Sequence, residues 1–366
     1  MLKERSVLKN IKPYVPGKEI AGNIKLASNE NPLGPSPKAI DSIKLSTQQI
    51  SLYPDGGCVL LRKKLADKLG VLENNLVVGN GSDELLLLIA GAYIEPGDEV
   101  IISNTTFSEY EYSARLFGAS PVFIDLKEYT YDLNAISEAI TSKTKIVYLC
   151  NPNNPTGTIF KQNELDKFLV AAPENVLIVI DEAYYEYVTS PFCPQTTSYY
   201  IESDKFDIST SYKNIIILRT FSKIYGLAGL RIGYGIARPE IINSLNKARE
   251  PFNVNRLAQI AATAALEDAD FIKESKTNNE AGKKYLYKEL KKMDIEYVPT
   301  EANFIFMNVP VDCMELFEEL RDSGVTIRPM ASFGCNQSIR VTIGTPEQNR
   351  FFIARLKEAL YKLSGS

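Results

Sequence analysis

Lys223 stands where a lysine could act as a nucleophile. It follows an apolar run at residues 215–218, lies next to the hydroxyl groups of Thr220 and Ser222, and precedes Arg231 by eight residues. A lysine just past a buried strand can be desolvated, and it is then a candidate for forming a Schiff base. The hydroxyls and the guanidinium are groups that bind phosphate. Taken alone, the segment would equally fit a solvated lysine at the end of a strand.

Two other segments carry polar side chains directly behind apolar runs. Residues 151–157 read Asn-Pro-Asn-Asn-Pro-Thr-Gly and follow the run 145–150, while residues 181–184 read Asp-Glu-Ala-Tyr and follow the run 176–180. Each could be an ordinary turn, because Asn, Pro and Gly are common turn residues. Their repeated position behind apolar runs instead favours one shared site.

Short apolar runs alternate with helical stretches over about the first 250 residues. This alternation predicts an α/β domain with a mostly parallel sheet. Ligands of open α/β sheets bind outside the carboxyl ends of the strands, which is where the polar segments lie. The predicted strands are 75–78, 99–103, 121–126, 145–150, 176–180, 215–218 and 230–236.

Three regions are predicted along the chain. An extended arm covers residues 1–27, a large domain 28–250 and a smaller α+β domain 251–366. The pattern changes after residue 250, where long helices precede short apolar segments. Helices are predicted at 60–69, 255–266 and 274–293, with another starting near Asp312.

The composition argues against several classes of protein. The net charge of −4 over 366 residues gives no positive field for nucleic acid or an anionic membrane. No apolar run reaches the ~18 residues of a membrane span, and the N-terminus lacks the apolar core of a signal peptide. The five cysteines are scattered without a C-x-x-C motif, so we expect no disulfide framework or zinc site. A cytoplasmic location fits these observations.

The chain contains no histidine. Ser-His-Asp and Cys-His hydrolases are therefore excluded, as are metal sites built on histidine. Acid–base chemistry must fall to Lys, Tyr, Asp or Glu. An enzyme whose lysine both binds a cofactor and carries a proton satisfies that restriction.

In the order Asn-Pro-Thr-Gly, Asp-Glu-Ala-Tyr, Ser-Lys and Arg-x-Gly, the polar segments resemble those of the fold-type I pyridoxal-phosphate (PLP) aminotransferases. The resemblance extends from about residue 14 to the C-terminus. It implies a large domain with a seven-stranded, mostly parallel sheet and a smaller α+β domain. It also implies PLP as the cofactor, with Lys223, Asp181 and Tyr184 as catalytic residues.

The same resemblance implies the individual contacts to the cofactor. Asp181 would pair with the pyridine nitrogen and keep it protonated, which makes the ring an electron sink. Tyr184 and Asn154 would contact the phenolic oxygen, and Phe107 would stack on the ring. Tyr53 would reach the cofactor phosphate from a neighbouring subunit, so that the active enzyme would be a homodimer. The other phosphate contacts would come from Gly81, Ser82, Asp83, Thr220, Ser222 and Arg231.

Several further segments resemble the histidinol-phosphate aminotransferases in particular. This resemblance implies that Tyr14, Arg328 and Arg340 hold the phosphate of the substrate, with Asn303 close by. Two arginines suit a dianionic phosphate, whereas one would suffice for a carboxylate. Glutamate and 2-oxoglutarate would be the second pair of substrates. The segments are 12–18, 29–34, 251–255, 258–259, 301–304, 327–330 and 339–344.

Structural roles also fit some of these positions. Ser82 or Asp83 could cap the helix that starts there, although a cap position and an anion site coincide. Phe107 could be a core residue, and Arg328 could pair with a nearby carboxylate.

The segment 331–338 departs from the glycine pair and tyrosine that the family more often has. It borders the substrate, so other reactions with the same cofactor motifs stay open. One is transamination of another phosphorylated ketone or amino alcohol, such as dihydroxyacetone phosphate or serinol phosphate. Another is decarboxylation of phosphorylated serine or threonine. A PLP-binding regulator would usually carry an added DNA-binding domain, for which this chain has no basic segment.

Overall fold

A computed structural model describes residues 2–13, 20, 22–196 and 214–364. Within these residues the strands are β1 (Ile24–Lys25), β2 (Leu76–Gly79), β3 (Glu99–Ser103), β4 (Ser120–Ile124), β5 (Thr144–Cys150), β6 (Leu177–Asp181), β7 (Ile215–Thr220), β8 (Gly233–Ala237), β9 (Phe304–Asn308), β10 (Val325–Thr326), β11 (Arg328–Pro329) and β12 (Ser338–Thr342). The α-helices are α1 (Pro37–Ser46), α2 (Val59–Leu69), α3 (Gly81–Tyr93), α4 (Glu109–Phe117), α5 (Leu133–Glu138), α6 (Gln162–Ala171), α7 (Pro239–Ala248), α8 (Arg256–Ala265), α9 (Ala269–Lys292), α10 (Cys313–Asp322) and α11 (Pro346–Leu363).

Seven strands form the central sheet in the order β2-β8-β7-β6-β5-β3-β4. The strand β8 is antiparallel to both β2 and β7, and the other neighbours are parallel. All residues of the central strands β6 and β7 are buried, as expected for strands covered on both faces. The predicted seven-stranded, mostly parallel sheet is therefore confirmed.

Two strands extend further than the apolar runs suggested. Asp181 is the last residue of β6, where it pairs in register with Cys150 and Leu218. Thr220 is the last residue of β7 and pairs with Gly233 of β8. Ladder hydrogen bonds therefore fix the backbone of both residues, which places their side chains at the carboxyl edge of the sheet.

The predicted start of the last strand was wrong. The strand β8 begins at Gly233 and not at residue 230, because Arg231 has a left-handed backbone with φ of 54°. A single turn of 3-10 helix covers Ala228–Leu230 immediately before it. Since β8 runs antiparallel to its neighbours, Arg231 still lies at the edge of the sheet where Asp181 and Thr220 end.

Two predicted helix starts correspond to capping residues. The side chain of Asn255 accepts a hydrogen bond from the Ala258 amide at the start of α8, and Asp312 caps α10 in the same way. The helix predicted from residue 274 begins earlier, at Ala269.

A second, smaller sheet contains β11, β12 and β9 in antiparallel order. Its buried side chains form a hydrophobic cluster separate from that of the central sheet, with contributions from α9, α10 and α11. The segment predicted as an extended arm ends in β1, which pairs in parallel with β10 beside this cluster. The domain boundary at residue 250 remains a prediction.

The helices of the described ranges include none that combines the length and the apolar character needed to cross a membrane.

Candidate active site

A cavity of about 380 Å³ opens at the carboxyl edge of the central sheet, next to the small sheet. Strand ends and the turns behind them supply one wall, and β11 and β12 supply another. The predicted site residues that line it are Ser82, Asp83, Phe107, Asn154, Asp181, Tyr184, Thr220, Ser222, Lys223, Arg231, Arg328 and Arg340.

Lys223 is half-buried in this cavity. Its Nζ donates a hydrogen bond to the main-chain oxygen of Ser28 at 3.2 Å and lies 5.5 Å from the ring centroid of Tyr184. Burial lowers the pKa of Lys223 to about 8, and the positive charge of Arg340 acts in the same direction. A sizeable fraction of this amine is therefore neutral near physiological pH, which makes it a competent nucleophile and proton acceptor.

Asp181 is a buried carboxylate at the floor of the cavity. Its Oδ2 accepts a hydrogen bond from the Tyr110 hydroxyl at 2.7 Å, and its Oδ1 accepts one from the Ala183 amide at 3.1 Å. Burial raises the pKa of Asp181 to about 6, and the two hydrogen bonds oppose the rise. No cation pairs with Asp181 among the described residues. A protonated ring nitrogen would supply that missing charge.

The turn between β2 and α3 forms a cradle for an anion. A Cβ added to Gly81 would lie 2.7 Å from Nη2 of Arg231, and one added to Gly233 would lie 2.6 Å from the Ser82 amide. Glycine at position 81 therefore leaves room for the Arg231 guanidinium, and glycine at position 233 lets β8 approach the first turn of α3 closely. The helix dipole favours negative charge at this helix start. The hydroxyls of Thr220 and Ser222 lie 3.0 Å apart on the same side.

Asp83 forms an ion pair with Arg231, with 2.9 Å between Oδ2 and Nη2. Both side chains are about half exposed. The carboxylate of Asp83 thus orients the guanidinium, and Asp83 itself could bind a phosphate only through its amide.

Tyr184 and Asn154 lie on the side of the cavity nearest the small sheet. The Tyr184 hydroxyl accepts a hydrogen bond from Nδ2 of Asn29 at 2.9 Å, and Oδ1 of Asn154 accepts one from Nη1 of Arg340. Burial raises the pKa of Tyr184, so its hydroxyl stays protonated and remains a hydrogen-bond donor at neutral pH.

Arg340 is a buried cation at the far end of the cavity. Its Nη2 donates to the main-chain oxygen of Ala27 at 2.7 Å, and burial lowers its pKa to about 10. Arg328 is exposed and lies opposite it in the register of β11 and β12. In the part of the chain that the structure describes, neither arginine forms an ion pair with a carboxylate. The arrangement is suited to an anionic ligand.

Three of the predicted site residues do not line the cavity. Asn303 lies behind the cavity wall, where its Nδ2 donates to the main-chain oxygen of Asn29 at 3.0 Å. Tyr53 is 78% exposed and stacks on Phe252, with 4.9 Å between ring centroids. Gly81 contributes only backbone to the turn described above. Tyr14 lies outside the described residues.

Sequence reasoning missed the roles of Tyr110 and of residues 27–29. Tyr110 is fully buried and reaches Asp181 over a separation of 71 residues, which no local pattern indicates. Asn29 lies in the segment 29–34, which resembles the histidinol-phosphate aminotransferases, but no contact was predicted for it. Its left-handed backbone, with φ of 58°, turns its side chain toward Tyr184.

The sequence is similar to those of known proteins along nearly its whole length. Residues 21–356 match the sequence model of the family described as aminotransferase class I and II. The chain is 49% identical over 365 residues to the histidinol-phosphate aminotransferase of Moorella thermoacetica, covering 97% of this chain and 92% of that one. It is 44% identical to that of Caldicellulosiruptor saccharolyticus, with coverage of 97% and 99%.

The chain belongs to the histidinol-phosphate aminotransferase family.

A solved member of this family has the same fold. The histidinol-phosphate aminotransferase of Sinorhizobium meliloti, determined in complex with pyridoxal-5'-phosphate, superposes with a TM-score of 0.89 at 28% identity. The match covers 99% of this chain and 98% of that one. The predicted family and the fold-type I architecture are therefore confirmed.

Proposed function

We propose that this chain is a PLP-dependent aminotransferase that exchanges an amino group between histidinol phosphate and 2-oxoglutarate. One observation carries the proposal. A half-buried lysine with a lowered pKa shares a cavity with a buried carboxylate that has no cationic partner among the described residues and with a buried arginine. The first two fit the cofactor, and the arginine fits the distal anion of a substrate.

The residues present fit PLP at each of its polar groups. The amides at the start of α3, the hydroxyls of Thr220 and Ser222, and Arg231 would hold the phosphate. Asp181 would hold the ring nitrogen, while Tyr184 and Asn154 would face the phenolic oxygen. The half-buried ring of Phe107 would cover one face. Bound PLP supplies an electron sink for the carbon that carries the amino group.

Lys223 would carry the proton. Its Nζ, with a pKa of about 8, can take a proton from the amino-bearing carbon of the first substrate. In the second half-reaction it can donate a proton to the corresponding carbon of the second substrate. The nearby charge of Arg340 helps to keep part of the amine neutral. The hydrogen bond to the oxygen of Ser28 holds the amine at the cavity wall.

Arg340 and Arg328 would bind the phosphate of the substrate. Arg340 contributes a desolvated charge, and Arg328 contributes a second one from the solvent side. Two guanidinium groups match a dianion better than they match a single carboxylate. The same site must also accept glutamate or 2-oxoglutarate, because both half-reactions use one set of residues.

We also propose that the active form is a homodimer in which Tyr53 serves the neighbouring subunit. In the single chain Tyr53 does not line the cavity, and it stacks on Phe252 at the surface. Leu52 and Ile50 beside it are also exposed, which gives an apolar surface that a second subunit could cover.

We further place the enzyme in the cytoplasm. The support is chemical, because all five cysteines are free thiols and a reducing compartment maintains that state.

The test of the substrate uses the holoenzyme with 2-oxoglutarate and, in separate reactions, histidinol phosphate, serinol phosphate or histidinol. We expect the highest kcat/KM for histidinol phosphate, measured as glutamate formed. A preference for histidinol would reject the phosphate site. A preference for serinol phosphate would keep the phosphate site and replace the substrate. Release of CO2 from phosphoserine or phosphothreonine without glutamate would identify a decarboxylase.

A further inference from the structure

Tyr110 lies beneath the cavity in the first turn of α4 and does not line it. It is completely buried, and its hydroxyl donates to Oδ2 of Asp181 at 2.7 Å. It is the one side chain that donates to Asp181 within the described ranges, since the other hydrogen bond comes from the Ala183 amide. The Tyr110 hydroxyl and the Ala183 amide thus each donate to one oxygen of the carboxylate.

The ring of Tyr110 is held on two sides. It stacks on Tyr148 of β5 with ring centroids 4.8 Å apart and planes 5° apart. It also meets Phe107 edge to face, with 5.6 Å between centroids and an angle of 84°. Packing on both sides restrains the ring, which keeps the hydroxyl directed at the carboxylate.

The phenol is suited to hold an anion. Burial and the charge of Asp181 raise the pKa of Tyr110 well above its usual value, so the group is always a donor in the working pH range. A hydrogen bond to a carboxylate favours its charged form. With one donor fixed on each oxygen, Asp181 keeps lone pairs for a cation arriving from the cavity.

We propose that Tyr110 is a positioning residue that holds the carboxylate of Asp181 and the ring of Phe107 together as one unit. The inference rests on the proposed function, in which Asp181 receives the ring nitrogen of the cofactor and Phe107 covers the ring face. Tyr110 touches neither cofactor nor substrate. It acts through the two residues that do.

The test compares Tyr110→Phe with Tyr148→Phe. The first removes the hydrogen bond and keeps the ring, and the second removes a buried hydroxyl from the same stack without touching Asp181. In the apoprotein, the carboxyl stretch of Asp181 is followed by infrared difference spectroscopy against pH, with Asp181→Asn as the reference for assignment. We expect Tyr110→Phe to raise the titration midpoint by about one pH unit, and Tyr148→Phe to leave it unchanged.

Other ionisable groups face Asp181 and must be separated from this effect. Asp83 and Glu182 act on its charge, and neither substitution touches them. Tyr110→Phe also removes a hydroxyl next to the Cys150 thiol, but burial raises the pKa of Cys150, of Tyr131 and of Tyr184, so these neighbours stay neutral in both variants. A common shift in both variants would therefore indicate general loosening of the stack and would overturn the proposal. An unchanged midpoint in Tyr110→Phe would also overturn it.

The holoenzyme gives a second readout. With the cofactor labelled at the ring nitrogen, the ¹⁵N shift should move toward the unprotonated form in Tyr110→Phe, and kcat should fall about tenfold or more while KM changes little. Tyr110→Leu should lose cofactor affinity in addition, because Phe107 loses its contact. If the infrared shift appears but histidinol phosphate is not a substrate, the proposed substrate fails and the positioning role stands. If turnover is normal in Tyr110→Phe, the positioning role fails alone.

Discussion

Arg328 and Arg340 lie directly opposite each other on the antiparallel strands β11 and β12. Arg340 is buried and Arg328 is exposed, and both line the cavity. Like charges at opposed positions destabilise a strand pair, and Arg328 contributes to the lowered pKa of Arg340. A dianion bound between them would relieve this repulsion.

Replacement of Arg328 by alanine should lower kcat/KM for histidinol phosphate by a factor corresponding to roughly 2–4 kcal/mol, because the phosphate loses one of two charged partners. The effect on histidinol should be much smaller. Arg350→Ala is a matched control, since Arg350 is exposed in α11 and its one ion pair among the described residues is with Glu347. Equal losses of kcat/KM for both amines would show that Arg328 does not bind the phosphate.

The pH dependence of cofactor attachment should report on Lys223. The neutral amine reacts and the ammonium does not, so the rate at which apoprotein attaches PLP should rise with pH around a midpoint near 8. Arg340→Met should move the midpoint upward, because removal of a neighbouring positive charge favours the ammonium. The rate is followed by absorbance, and borohydride reduction with peptide mapping identifies the lysine. Labelling at another lysine, or a midpoint unchanged by Arg340→Met, would contradict this assignment.

The buried charge of Asp181 should lower the free energy of unfolding of the apoprotein at neutral pH. Its pKa is raised from about 4 in an unfolded chain to about 6 in the fold, so the folded state binds the proton more tightly. Its favourable contribution is present below pH ~4 and is lost as the pH rises through about 6. We measure the free energy of unfolding with urea for the apo forms of Asp181→Asn and wild type. The difference in favour of the variant should therefore increase by about 2–3 kcal/mol from pH 4 to pH 7.5.

The same variant tests the catalytic assignment. Loss of the carboxylate should reduce turnover by several powers of ten, corresponding to ~4 kcal/mol or more on the barrier. A loss of less than tenfold would mean that Asp181 does not hold the ring nitrogen. Parallel pH profiles for the stability of wild type and variant would show that Asp181 is not desolvated as described.

Tyr53 can be tested by subunit complementation. A heterodimer of Lys223→Ala and Tyr53→Ala chains has one fully native site only if Tyr53 acts across the interface. Random mixing should then recover roughly a quarter of wild-type activity, whereas each variant alone stays low. No recovery in a mixture shown by sedimentation to contain dimers would place Tyr53 in its own subunit's site or outside any site.

Much of the architecture was visible in the sequence because buried strands are continuous apolar runs. The runs at 145–150 and 176–180 predicted β5 and β6 to within a residue at each end. The predicted start of β8 was too early because Arg231, inside the predicted strand, has a left-handed backbone that the residue types around it do not reveal. Backbone conformation at a single non-glycine residue leaves no such signal.

The reactive side chains of the site were easier to predict than the residues that hold them in position. Lys223, Asp181 and Arg340 lie in segments whose residue types indicate reactions, and the structure brings them into one cavity. Tyr110 is a tyrosine in an amphipathic helix, and its contact with Asp181 depends on how α4 packs against β3 and β4. Contacts of that kind arise from tertiary packing, so one sequence does not predict them.

Residues 27–29 touch three parts of the site in succession. The oxygen of Ala27 holds Arg340, the oxygen of Ser28 holds Lys223, and the side chain of Asn29 holds Tyr184. These three consecutive residues therefore fix the positions of the guanidinium, the amine and the phenol relative to one another. Inserting one residue between β1 and Ala27 would therefore misalign all three contacts together.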